Sequence, residues 1–493
     1  VALGLLVLLA WGLRAFVVAP GPFYENFHGY AVLGLDPLSV PGYPSVTSSY
    51  VALMGALSLH GDGMIAANRI GSALLVVPVT LLAVELLGGW LPGLLAGAVV
   101  AVHPLLARLG ASEDPLAFYM LTLLFGVVLG RRALARDSLT GFAGAAALVS
   151  VAAFVRDATV MAGPVFAVLT FGRLPTRRRL VFVGLGLVPF AAGVLRLATF
   201  GALLQGDATS SIPTWSAWLL TALRWGAIGG LEVLRTPSAF PILALGGLGV
   251  LAWRLPRPAL RLVLALGLLQ GPFAVVLGSV ASMVSPSRHL SPAVVLWALP
   301  IGFALAAVTR LVRAGLPKRG AAWTPVVAVV LLGASISDAR PLLTRTTYVE
   351  QEYQVMKDCL RQLPAEARYQ RIAEGPASHV ASEPAWLRAE RPLWKPLDER
   401  VLFDDRWAGR HVPAVLLIDH SCTLASIVTA VPDFSAATDD TPWGLMVPAC
   451  AEAFRAREWQ TVVRVDLPFD DTQVGDAVGI PVGCLIEASE VAP

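Results

Sequence analysis

Two acidic tripeptides, Tyr24-Glu25-Asn26 and Ser112-Glu113-Asp114, stand at the ends of apolar runs in a chain that otherwise keeps carboxylates away from them. Of 34 Asp and Glu residues, only ten occur in residues 1–337, and the other 24 occur in 338–493. A carboxylate near a bilayer is costly unless it is paired or wet, so the few that remain are candidates for chemistry. Glu25 follows the first apolar run by about five residues, within PGPFYENFHGY. That setting suits a general base at the membrane–water boundary. The flanking aromatic groups, Tyr24 and His28 among them, could hold an apolar carrier and a sugar. A solvated loop acid is the plain alternative.

Ser112-Glu113-Asp114-Pro115 lies just before another apolar run. Adjacent acids could hold a divalent cation, magnesium or manganese, together with waters and a phosphate. Ser112 with acids beside it and Pro115 after them is also good first-turn capping chemistry. The two readings are compatible, because one carboxylate can do each task. Cations complete the set: Arg69, Arg156 and Arg288 are expected near the same boundary, and an arginine fork suits phosphate. His289, beside Arg288, could ligate a metal or donate a hydrogen bond. For the Arg288–His289 pair a lipid-headgroup anchor is the competing reading. His103-Pro104 reads as a satisfied helix histidine.

These groups need a membrane scaffold to position them. Hydrophobic residues make up 56% of the 493 and charged residues 14%, with a mean hydropathy of +0.68. That excludes an ordinary soluble domain. Spanning runs of about 17–25 residues read at 1–20, 66–88, 90–108, 115–131, 139–155, 158–172, 180–200, 237–253, 260–280, 290–309 and 321–337, eleven in all. The expected fold class is therefore a polytopic α-helical membrane protein with about eleven transmembrane helices. A membrane domain covers 1–337, and a C-terminal extracytoplasmic mixed α/β domain covers 338–493.

Topology follows from the arginines. Residues 1–337 carry 22 basic and 10 acidic groups, whereas the remainder carries 15 and 24. The basic excess clusters in short connections, at Arg131-Arg132, Arg177-Arg178-Arg179, Arg254 to Arg261 and Arg310 to Arg319. This is the positive-inside pattern rather than a nucleic-acid footprint. An odd span count then puts the N-terminus in the cytoplasm and the tail outside an inner membrane. Glu85 and Asp137 are the acids that fall on the cytoplasmic side. No cleavable signal peptide is evident, and the chain opens inside an apolar run.

All four cysteines, Cys359, Cys422, Cys450 and Cys484, lie in the tail. An oxidising compartment would allow any of three pairings. The tail shows helical periodicity over 348–363 and strand-like runs at Ala414–Ile418, Thr461–Asp466 and Val482–Glu487. Residues 51–60 and a stretch within 201–236 read as interfacial helices.

In this order the features resemble the GT-C membrane glycosyltransferases, and in particular the polyprenyl-phosphate-dependent group of protein O-mannosyltransferases and lipid A aminoarabinose transferase. The resemblance covers roughly residues 10–310. It runs through FYENFHGYAVLGLD, YPSVTSSYVALMGALSLHGDGMIAANRIGSAL, HPLLARLGASEDPLAFYMLTLL and SPSRHLSPAVVLWALPIG. Glu25 stands where the family more often has Asp, Asn26 where a second acid is frequent, and His289 where Tyr is usual.

The resemblance implies an inverting transferase that moves a sugar from a polyprenyl-phosphate donor to a hydroxyl of a lipid, glycan or protein. The reaction would occur at the outer face of the membrane. Glu25 would be the base, Arg69, Arg156 and Arg288 the phosphate ligands, Glu113 and Asp114 the metal pair, and Tyr24, His28 and His289 substrate contacts. The alternatives are a polytopic lipid or small-molecule transporter and an inactive GT-C relative. A transporter would more often bury charge at mid-membrane and show two related halves.

Overall fold

In a computed structural model of the chain, the described residues are 1–18, 54, 57, 59, 62–112, 116–155, 176–204, 239–254, 286–315, 333, 337, 348–371, 395–396, 412–418, 422, 439–446, 448–469 and 478–488. Their elements divide into a helical unit ending with the helix that closes at Gly315 and a sheet unit that begins at Tyr348.

The helical unit opens with α1 (Ala2–Gly12), which runs directly into a π-helical turn, Leu13–Val17. Next come α2 (Asp62–Leu74) and α3 (Val76–Leu87), nearly collinear, so that 63–87 form one apolar span of 25 residues. α4 (Trp90–Val102) and α5 (Pro104–Gly110) are bent by 60° at His103. α6 (Leu116–Ala135), α7 (Leu139–Val155), α8 (Thr176–Leu204), α9 (Ala239–Arg254) and α10 (Pro286–Gly315) follow. Among the described residues three helices are long and apolar enough to cross a membrane, or four if the bent pair is one span.

The runs read at 66–88, 115–131, 139–155, 180–200, 237–253 and 290–309 each coincide with helix. Those at 158–172 and 260–280, the interfacial stretch within 201–236, and nearly all of 51–60 and 321–337 lie outside the described residues. The run at 90–108 differs from a single span. Pro104 has no N–H to offer the α4 carbonyls and its ring opposes a continuous helix, so the span breaks there.

Apolar contact contributes little between helices in lipid, so close backbone approach has to join them. Gly93 and Gly97 on α4 provide it. A Cβ at either position would collide with Val84 or Thr80 across the contact with α3. The two acids expected on the arginine-rich side also have local reasons to be there. Glu85 near the end of α3 binds Arg132 Nε at 2.7 Å and Arg131 Nε at 3.4 Å, from the end of α6. Asp137 adopts a left-handed φ of 51°. It closes α6 with bonds from Asp137 N to Leu134 O and from Ser138 N to Ala133 O, the pattern usually made by glycine. Ser138 Oγ then accepts from Gly141 N and opens α7.

In the second unit, α11 (Tyr348–Gln362) buries Val355, Met356, Cys359 and Leu360 at helical spacing. The sheet has the order β2-β1-β3-β7-β6. β1 (Arg368–Arg371) is parallel to both β2 (Lys395–Pro396) and β3 (Ala414–Ile418), while β7 (Val478–Glu487) is antiparallel to β3 and to β6 (Trp459–Phe469). All five residues of β3 are buried, as a continuous Ala-Val-Leu-Leu-Ile run in an interior strand requires. A hairpin of β4 (Asp439–Thr441) and β5 (Gly444–Met446), followed by α12 (Pro448–Arg455), places Trp443, Met446, Cys450 and Ala451 against Leu416, Ile418 and Leu485.

The structure selects one of the three cysteine pairings: Cys359 with Cys484, and Cys422 with Cys450. The first ties α11 to β7 across 125 residues of chain. By loop-closure entropy it contributes about 4–5 kcal/mol. Replacing Cys359 and Cys484 by Ala is expected to raise amide exchange over β3 and β7 by at least a hundredfold. Hydrogen exchange on the full chain reads this directly.

Candidate functional site

Arg14 is the only charged residue among residues 1–24, and it is wholly buried. It lies in the π turn after α1, a geometry that recurs at functional positions because it displaces one residue from the helical register. Arg14 Nε donates to Ser72 Oγ on α2 at 2.7 Å. One terminal nitrogen donates to Ala10 O and to Ala101 O, both at 2.9 Å, and the other to Val100 O at 3.3 Å.

The availability of those α4 carbonyls is written in the sequence. Val100 O would accept from the N–H four residues later, but that residue is Pro104. His103 is extended, with φ −62° and ψ 122°, and so ends the helix. A helix C-terminus carries partial negative charge, which favours a cation there. The guanidinium is therefore met by three backbone carbonyls and the Ser72 hydroxyl, with no carboxylate bonded to it among the described residues.

α5 is stitched to α2 in the same region. Asn68 Nδ2 donates to Ser112 O at 2.7 Å, and Ser72 Oγ, which accepts from Arg14, donates onward to Leu106 O at 3.4 Å. Ser112 Oγ donates to Leu109 O at 2.7 Å, so the described bond of this serine closes α5. Gly110 is required by the crowding, since a Cβ there would collide with Ser72 and come within 3.0 Å of Arg14 Nε. Asn68, Ser72, His103, Arg108 and Ser112 are all buried. Leu13 and Val18 pack on Ala107 and Ala111 and seal the other side.

Arg69 directly follows Asn68 on α2. It is half-buried, and its Nε is shielded from solvent without a hydrogen-bond partner among the described residues. Of the residues assigned from sequence to catalysis or to binding, Arg69 is the one whose side-chain surroundings the described residues define. The Asn68–Ser112 bond holds its neighbour against the residue that precedes Glu113 and Asp114. Arg288 and His289 lie in the first turn of α10. Glu25, Tyr24, His28, Glu113, Asp114 and Arg156 lie outside the described residues.

No group of three or more His, Cys, Asp and Glu side chains is gathered for a metal among the described residues. Sequence reasoning passed over Arg14, Asn68, Ser72 and Arg108. For Arg14 the signal was available, because a lone arginine within a spanning run needs a partner.

No protein-family model matches the chain, and no curated protein matches it. The fold is similar to that of a solved archaeal oligosaccharyltransferase. The archaeal oligosaccharyltransferase AglB of Archaeoglobus fulgidus, solved with an inhibitory peptide and a dolichol-phosphate, aligns at a TM-score of 0.51 and 13% identity. That alignment covers 90% of this chain and 73% of the archaeal one. The apo oligosaccharyltransferase of the same organism aligns at 0.49 and 13% identity over 80% of this chain, which spans 64% of the archaeal chain's length. ArnT of Cupriavidus metallidurans, bound to undecaprenyl phosphate, gives 0.45 and 14% identity, with 90% of this chain and 96% of that one covered. At such identities the likeness is one of fold.

Proposed function

We propose that this chain is a glycosyltransferase that moves a sugar from a polyprenyl-phosphate donor to a hydroxyl acceptor at the outer face of a membrane, with inversion at the anomeric carbon. The observation that carries the reading is local. Arg69, whose shielded Nε has no partner among the described residues, directly follows Asn68, the residue bonded to the carbonyl of Ser112, in a fold shared with an enzyme solved holding dolichol-phosphate. A lipid-linked donor has its tail in the bilayer and its sugar in water. Such a substrate requires a cation for its phosphate near the membrane boundary, the role we give Arg69.

In the proposed reaction the acceptor hydroxyl oxygen forms the new bond to the anomeric carbon as the bond from that carbon to the phosphate oxygen breaks. Glu25 takes the hydroxyl proton. The departing polyprenyl phosphate keeps the electron pair, and its added charge is met by Arg69 with Arg156 and Arg288. Tyr24, His28 and His289 contact the substrates. A magnesium or manganese ion held by Glu113 and Asp114 would supply further positive charge to the phosphate.

About eleven spans, an N-terminus inside and a membrane domain passing to a soluble one near residue 338 complete the proposal. The two disulfides support an extracytoplasmic tail, since thiols are kept reduced in the cytosol.

The test is sugar transfer by the purified full chain in lipid, offered a panel of polyprenyl-phosphate monosaccharides with and without EDTA. Product from one or more donors, with inverted anomeric configuration by NMR, is the expected result. Loss of product with EDTA would place the cation in the reaction. No product from any donor would favour the transporter or inactive-relative alternatives.

A further inference from the structure

We propose that Arg14 is a positioning residue that sets the break between α4 and α5, and through it the docking of Ser112 on Asn68, the neighbour of Arg69 on α2. This rests on the donor-binding reading above. Arg14 and Pro104 are interdependent. Pro104 leaves the end of α4 with carbonyls that no helical N–H can reach, and in lipid such groups must find a donor within the protein. Arg14 is the donor, reaching Val100 O and Ala101 O from another helix. A cation in a spanning run is itself costly, and the end of a broken helix is one of the few places that accommodates it without a carboxylate.

The guanidinium does more than close α4. Its Nε bond to Ser72 continues through the Ser72 hydroxyl to Leu106 O on α5, so one group fixes both sides of the bend and ties them to α1 and α2. Gly110 lacks a Cβ where one would displace this relay. Two residues beyond it, Ser112 O receives Asn68 Nδ2, and the next residue on α2 is Arg69. The direction of α5 therefore decides whether Ser112 reaches Asn68, the residue before Arg69. The planar fork is essential to this geometry, since a lysine point charge cannot address carbonyls and a hydroxyl on different elements in the same fixed directions.

The experiment is a double-mutant cycle of Arg14→Met and Pro104→Ala on the full chain in lipid nanodiscs, read by thermal unfolding and by binding of undecaprenyl phosphate. Arg14→Met is expected to lower Tm by roughly 5–10 °C through orphaned carbonyls. Pro104→Ala returns an N–H to Val100 O, so the double variant should recover at least half of that loss, a coupling that independent sites would not show. Affinity for undecaprenyl phosphate should fall about tenfold in Arg14→Met and stay low in the double variant, where the stability has returned but the bend has not. A purely structural role would restore binding together with Tm.

Additive Tm losses would overturn the interdependence, and wild-type affinity in the double variant would overturn the positioning role. A wild type that does not bind undecaprenyl phosphate would overturn the donor reading and the positioning role that rests on it. The Tm cycle would still decide the interdependence.

Discussion

Glu25→Gln is expected to lower sugar transfer by about a hundred- to ten-thousand-fold, the range that a positioned general base contributes. The acceptor is an alcohol, a poor nucleophile whose proton becomes strongly acidic only as its oxygen bonds to the anomeric carbon. A group able to take that proton must be in place at that instant. Gln keeps the size and a carbonyl oxygen but cannot accept the proton, so the substitution removes the chemistry with little change of shape. The loss should fall on the rate at saturating donor, because the phosphate is assigned to arginines and not to Glu25. Single-turnover transfer with a matched donor-affinity measurement separates these quantities. Near-normal turnover would remove Glu25 from the base role and shift it toward Glu113 or Asp114.

The broad architecture could be read from the amino-acid pattern because its causes are local. Apolar runs long enough to span become helices wherever the structure describes them, and the strand-like runs at Ala414–Ile418, Thr461–Asp466 and Val482–Glu487 all fall within β3, β6 and β7. The helix read over 348–363 is α11. The break in the run at 90–108 was less visible. A proline in a membrane helix is often tolerated when neighbours satisfy the freed carbonyls, and the neighbour concerned, Arg14, lies 86 residues from Val100 in sequence. The disulfide pairing is hidden for the same reason, since the register that sets Leu417 opposite Cys484 is a property of the sheet. For the site, residue type pointed to Arg69, but only the fold reveals that its neighbour Asn68 binds the Ser112 carbonyl.

Arg69→Gln is expected to reduce transfer by about a hundred- to a thousandfold, as removal of one preorganised charge-stabilising donor does elsewhere, while leaving the protein as stable as the wild type or slightly more so. The two halves of this prediction come from one feature. A shielded guanidinium N–H without a partner is a burden to the resting protein, because desolvation of a polar group is compensated only when a hydrogen bond replaces the lost water. Among the described residues Arg69 Nε is in that condition, whereas all three nitrogens of the Arg14 guanidinium donate. Substitution of Arg14 should therefore cost stability first, and substitution of Arg69 should cost ligand affinity and rate. A phosphate arriving at Arg69 would accept the unused N–H and add a charge-assisted bond of the strong kind. Arg69→Lys should recover only part of the loss, because the ammonium keeps the charge but not the fork. Thermal unfolding and undecaprenyl phosphate binding on the same preparation decide the matter. Stability lost without a change in affinity would make Arg69 a scaffold residue, and affinity lost at unchanged stability would make it the donor's phosphate ligand.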